Sequence, residues 1–217
     1  MRMNNWVVAT AGRTGSNLLC GHLETMGYEF HGVQNKHTTN YLSNIAERSN
    51  IVPVVTHDHR LVPFQPNDNS SIIVSARKDI FAQACSGIIA FNLKEFNNND
   101  HSGETVKLSP LLSELDFTVK TLLYTGKMQA KQLENTKWTT RHLVFYEDLI
   151  EDGIIETSKK IGLPYNEDSN WTLTKSIRRP EDTLENYEEL LEHYIKNYSS
   201  MVNDEILRLK EYERKNS

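Results

Sequence analysis

The sequence predicts an α/β protein: a single domain, residues 1–217, with a mostly parallel central sheet flanked by helices. Three observations lead there. Short apolar, β-branched runs alternate with longer segments of helical period along the whole chain. The first such run is apolar on both faces, as a central parallel strand is. Each unusual polar cluster follows directly on one of these runs, at the carboxyl end, where open parallel sheets bind their ligands.

In order, the first strand is expected over residues 6–10 (WVVAT) and a helix over 16–26. Ser16 or Thr14 is available as the helix N-cap, and Gly27 fits its C-terminal stop. A short strand is expected over 28–32, and a helix over 38–48 from the spacing of Tyr41 and Ile45. Another strand (IVPVVT) spans 51–56, bounded by Asn50 and by His57-Asp58. Residues 71–76 (SIIVSA) form the next. A long helix follows over 79–96, with a possible break near Gly87, then a polar loop over 97–110. A second long helix covers 111–135, a last strand 141–146, and a helix 149–161 ending at Gly162. Residues 165–184 read as irregular and carry Lys175, Arg178 and Arg179. A charged amphipathic helix over 185–214 completes the pattern.

Composition bounds the function. At 217 residues the chain suits one large domain, and 24% charged with 38% apolar residues is ordinary for a globular protein. A net charge of −5 argues against broad nucleic-acid binding and leaves room only for a local basic pocket. Cys20 and Cys85 sit among apolar or small residues and are expected as free buried thiols. No Cys/His spacing resembles a zinc site, so no metal site is expected. The first residues (MRMNNW) lack an apolar signal region, and no apolar run approaches the ~20 residues that span a bilayer. A cytoplasmic protein with no membrane span is the expectation.

The candidate functional residues lie in the loops after the strands. In "ATAGRTGSNLL", a strand breaks into a glycine-bearing turn and then a helix, an arrangement that presents backbone N–H groups to an anion. The common phosphate loop of this shape carries Gly-Lys-Ser/Thr. Here there is no lysine, and Arg13 precedes the second glycine. Gly12 and Gly15 allow close approach, while Thr14, Ser16 and Asn17 can each donate a hydrogen bond. An ordinary strand-to-helix turn uses the same residue types. In "VPVVTHDHRL", His57 and His59 follow a buried strand, where an imidazole can act as general base; two solvated loop histidines are the plainer alternative. In "IIVSARKDIFAQACSG", Arg77 leaves a strand, Asp79 can cap the next helix, and Ser86 lies two turns on. Arg77 with Ser86 makes a possible phosphate clamp, beside the alternative of a charged turn before a core helix. In "LVFYEDL", Glu147 and Asp148 read as acids favouring a helix N-terminus. "TKSIRRPEDT" gathers three cations on an acidic chain, either an anion-binding loop or a solvated charge run.

Together these segments resemble the sulfotransferases that use 3′-phosphoadenosine 5′-phosphosulfate (PAPS). "ATAGRTGSNLL" looks like their 5′-phosphosulfate loop, and "VTHDHRL" resembles the strand that supplies the base in many cytosolic members. "IIVSARKDIFAQACS" resembles the 3′-phosphate segment, "LVFYEDL" the late strand ending in Tyr-Glu-Asp-Leu, and "SIRRPEDT" the arginine-containing loop over the nucleotide. Order and approximate spacing agree over about residues 6–180. The first segment, with Leu18-Leu19-Cys20 following, most resembles bacterial carbohydrate- and glycolipid-type members. Departures are visible. Gly12 replaces a proline, Arg13 stands where cytosolic members have lysine, and Arg77 is followed directly by Lys78-Asp79. Cys85 occupies the usual serine place, with Ser86 one residue beyond.

The resemblance implies a P-loop-like nucleotide-binding fold and sulfuryl transfer from PAPS, leaving adenosine 3′,5′-bisphosphate, to a small-molecule or glycan acceptor hydroxyl. It implies that His57 takes the hydroxyl proton; His59, Glu29 and His31 are the reserve candidates. Arg13 and the loop residues Thr14, Gly15, Ser16 and Asn17 would hold the 5′ side, with Arg13 stabilising the leaving phosphate. Arg77, Ser86 and Arg178 or Arg179 would hold the 3′-phosphate. A small nucleotide kinase and a non-catalytic nucleotide-binding protein are the alternatives.

Overall fold

Strand β1 (Asn5–Thr10) is buried from end to end because its two faces meet different helical layers. Trp6 and Val8 enter one apolar cluster, Val7 and Ala9 another, following the two-residue alternation of a strand. The computed structural model describes residues 5–31, 54–58, 70–94, 106–168 and 178–216. After β1 come α1 (Ser16–Glu24), β2 (Glu29–His31), β3 (Val54–Asp58), β4 (Ser70–Ala76), α2 (Ile80–Leu93) and α3 (Leu112–Glu134). Then follow β5 (Arg141–Phe145), α4 (Tyr146–Glu151), α5 (Gly153–Ile161), α6 (Pro180–Thr183) and α7 (Tyr187–Asn216). The expected helix over 38–48 and much of the polar loop over 97–110 lie outside the described residues.

Among the described residues, five strands form one sheet in the order β2-β3-β1-β4-β5, and every neighbouring pair is parallel. The protein is therefore α/β, as the alternation of runs predicts. Trp6 pairs with Val55 on one side and Ser71 on the other, so β1 is central. From β1 the chain passes through α1 towards β2 and β3; from β4 it passes through α2 and α3 to β5 on the opposite side. The crossovers diverge between β1 and β4. A crevice opens beyond the strand ends at such a point.

Each face of the sheet has its own helices. Trp6, Val8, Ile73 and Val144 pack with Leu18, Leu19 and Leu23 of α1, Leu149 of α4 and Ile154 of α5. Val7, Ile72, Val74 and Phe145 pack with Ala130 and Leu133 of α3 and Leu209 of α7. A third cluster joins α2, α3 and α7 through Phe81, Ile88, Val119 and Tyr194. Burying a leucine such as Leu19 contributes about 2 kcal/mol. Both cysteines are free and buried. No helix among the described residues is long and apolar enough to cross a membrane.

Local punctuation departs from expectation at three places. Helix α2 runs unbroken through Gly87, because buried Ile88 and Ile89 hold the helix by packing, which outweighs a propensity cost near 1 kcal/mol. The helix expected over 149–161 begins earlier, at Tyr146, and is split where Gly153 takes a φ of 80°. Strand β3 runs on to Asp58, so His57 lies within it, level with Val8 of β1. At the end of α1, Tyr28 N–H bonds to Leu23 C=O (3.4 Å) and Gly27 N–H to Glu24 C=O (3.0 Å). These paired bonds make Gly27 the stop, as expected.

Candidate functional site

The turn between β1 and α1 has a left-handed backbone. Gly12, Arg13 and Gly15 take φ values of 84°, 57° and 75°. Glycine adopts these values freely, but an arginine there carries strain of order 1 kcal/mol, which surrounding structure must hold. A buried polar network does so. Thr10 Oγ1 accepts from Gly12 N–H (2.9 Å) and lies 2.6 Å from Thr14 Oγ1. Ser75 Oγ of β4 donates to Thr14 C=O (2.7 Å) and lies 2.8 Å from Thr14 Oγ1. Gln83 Nε2 of α2 donates to Gly12 C=O at 2.6 Å.

Thr14 therefore needs correcting as a side-chain ligand. Its hydroxyl is fully buried beneath the loop and belongs to the network of Thr10 and Ser75. The N-cap of α1 is neither Thr14 nor Ser16 but Gly15, whose carbonyl accepts from Leu18 N–H (3.0 Å) and Leu19 N–H (3.3 Å). Ser16 is the buried first residue of α1 and Asn17 its exposed second.

The turn after β4 is built from charges. The Arg77 guanidinium lies over the Tyr146 ring, 4.5 Å from its centroid, and its Nε is 3.7 Å from Glu147 Oε1. Glu147 also accepts from the backbone N–H of Lys78 (2.9 Å) and of Asp79 (3.2 Å). Lys78 Nζ donates to Asp148 Oδ1 at 2.6 Å. Asp79 caps α2, accepting from Ala82 N–H at 2.8 Å. Glu147 and Asp148 do stand at a helix N-terminus, the first turn of α4. Their larger role, clasping the β4 turn, has no local signal, because the partners are about seventy residues apart.

Helix α2 closes the site from the side. Arg13 Nε donates to Ser86 Oγ at 3.0 Å, so Ser86 is paired with Arg13 rather than Arg77. Burial lowers the Arg13 guanidinium from its ordinary value; Tyr146 opposes that shift and the like charge of Arg77 adds to it. Burial, with Asp79 adding to it and Arg77 opposing it, pushes the Cys85 thiol up to about 12, which leaves it protonated and poorly nucleophilic. Arg178 is partly buried and Arg179 exposed. Arg179 is the N-cap of α6, its carbonyl accepting from Thr183 N–H and Oγ1, and α6 packs against α2.

His57 is in β3, beside β1, and His31 on β2 pairs with Thr56. Glu29 pairs with Val54, further from the strand ends. His59 lies outside the described residues. Gln83 and Ser75 are the site residues that sequence reasoning missed. A glutamine inside the apolar run "IFAQACSGII" was a signal available for the first. No protein-family model, curated protein or solved structure matches this chain. The geometry of the two turns carries the functional reading.

Proposed function

We propose that this protein transfers a sulfuryl group from PAPS to an acceptor hydroxyl, on a small molecule or glycan, using a P-loop-like nucleotide-binding fold. The observation that carries the reading is that the turns bearing Arg13 and Arg77 follow two neighbouring parallel strands, β1 and β4, where the crossovers of the sheet diverge. The residues present fit an anionic nucleotide. Arg77 Nε is buried and makes no hydrogen bond among the described residues. Ser86, on the helix that follows Arg77, accepts from Arg13 Nε, and α1 starts from the turn that carries Arg13.

When bound, PAPS supplies an activated sulfuryl group with a phosphate as leaving group. Arg13 and the N–H groups at the start of α1 hold the 5′ side and stabilise charge on that phosphate. Arg77 and Ser86 hold the 3′-phosphate, with Arg178 or Arg179 as a further cation. His57 accepts the acceptor hydroxyl's proton, with His59, His31 and Glu29 as the other candidates. Thermal-shift binding tests the proposal. Adenosine 3′,5′-bisphosphate at a hundredfold excess over its dissociation constant stabilises the fold by about 2.7 kcal/mol. Stabilisation by ATP–magnesium with none by the bisphosphate overturns the reading in favour of a nucleotide kinase.

A further inference from the structure

Gln83 is only 2% exposed, an uncommon state for a glutamine and a costly one without a hydrogen-bond partner. Its partner is the Gly12 carbonyl, at 2.6 Å. The Gly12–Arg13 peptide is trans, so its N–H points opposite to that carbonyl. Ser75 treats the next peptide but one in the same way, taking the Thr14 carbonyl at 2.7 Å. Two oxygens that would repel an anion are drawn towards α2 and β4, and the N–H groups of Arg13 and Gly15 are turned the other way. The left-handed φ values at Gly12, Arg13 and Gly15 accompany this arrangement, and N–H groups presented from a turn are a means of binding anions. One helical turn beyond Gln83, Ser86 Oγ accepts from Arg13 Nε at 3.0 Å. Helix α2 therefore grips the Arg13 segment by its backbone and by its side chain.

We infer that Gln83 is a positioning residue for the anion loop: by holding the Gly12 carbonyl it fixes the direction in which Arg13 offers its N–H. The inference rests on the proposed nucleotide chemistry. The test is Gln83→Met, which keeps length and volume but removes the donor, with Ser75→Ala as an independent variant that frees the Thr14 carbonyl. Affinities for adenosine 3′,5′-bisphosphate and adenosine 5′-monophosphate are measured by calorimetry well below each variant's melting temperature. The loop serves the 5′ phosphate common to both ligands, so both weaken by one factor of about tenfold and their ratio stays that of the wild type. A purely structural role would lower the melting temperature and leave both affinities unchanged. Wild-type affinities in a folded Gln83→Met protein, or loss of the bisphosphate alone, overturn the inference. If Gln83→Met does not fold, Ser75→Ala decides by the same criteria. A wild-type protein that binds neither nucleotide overturns the proposed function, and this inference with it.

Discussion

The turn after β1 and the turn after β4 follow neighbouring strands at the same end of the sheet, yet opposite means hold them. The first is fixed by neutral groups, Thr10, Thr14, Ser75 and Gln83, buried under a left-handed backbone. The second, after Ala76, has no positive φ and is held by Glu147 and Asp148 against Arg77, Lys78 and two backbone N–H groups. Neutral hydrogen bonds in a dry interior gain from low dielectric and ignore salt, whereas partly exposed ion pairs are partly screened. A loop that must hold strained donors gets the rigid support. A turn whose arginine must meet a charged ligand keeps that arginine near a carboxylate that partly balances it.

The largest expected effect tests whether the two turns serve different parts of one ligand. Arg77→Ala weakens binding of adenosine 3′,5′-bisphosphate by about 1.5–3 kcal/mol, the worth of a charge-assisted hydrogen bond. Adenosine 5′-monophosphate binding changes little. Equal weakening of both in titration calorimetry removes the division of labour. Next comes the buried network. Thr14→Val keeps shape but removes the hydroxyl between Thr10 and Ser75, costing about 1–2 kcal/mol of stability in urea unfolding, with the loss the same at low and high salt. A loss that shrinks with salt contradicts a neutral scaffold. The smallest effect belongs to the charged turn. Asp148→Asn breaks a pair whose side chains are 34% and 30% exposed, so stability falls by less than about 1 kcal/mol. That difference fades as sodium chloride rises towards half molar. A larger, salt-independent loss would place this pair on the same footing as the first turn.

The sheet was legible where burial is two-sided. "WVVAT" and "SIIVSA" have few alternatives to central parallel strands, and β1 and β4 follow them to within a residue. Punctuation was less legible. Gly87 reads as a weak point in the helix, but contacts with α3 from elsewhere in the chain decide the matter. Gly153 looks no different in sequence, yet it does break the helix, taking a φ of 80°. Within the site, Arg13, Arg77 and Ser86 were legible as anion-binding residue types after strands. That Ser86 pairs with Arg13, that Thr14 turns inward and that Glu147 clasps the β4 turn were not. Each depends on which strands become neighbours, and β1 beside β4 is a pairing that no local stretch encodes.

The central position of β1 also sets a timetable. It is the earliest of the five described strands, yet the two strands that flank it come from residues 54–58 and 70–76. During synthesis from the N-terminus, a segment with two apolar faces and two open hydrogen-bonding edges must wait for both partners to emerge. Parallel pairing between such distant segments is slow to form and leaves the waiting strand exposed to aggregation and to chaperones. The anion loop shares this delay, because Ser75 and Gln83, which hold its carbonyls, are translated after it. The loop reaches its working shape only when the middle of the sheet closes.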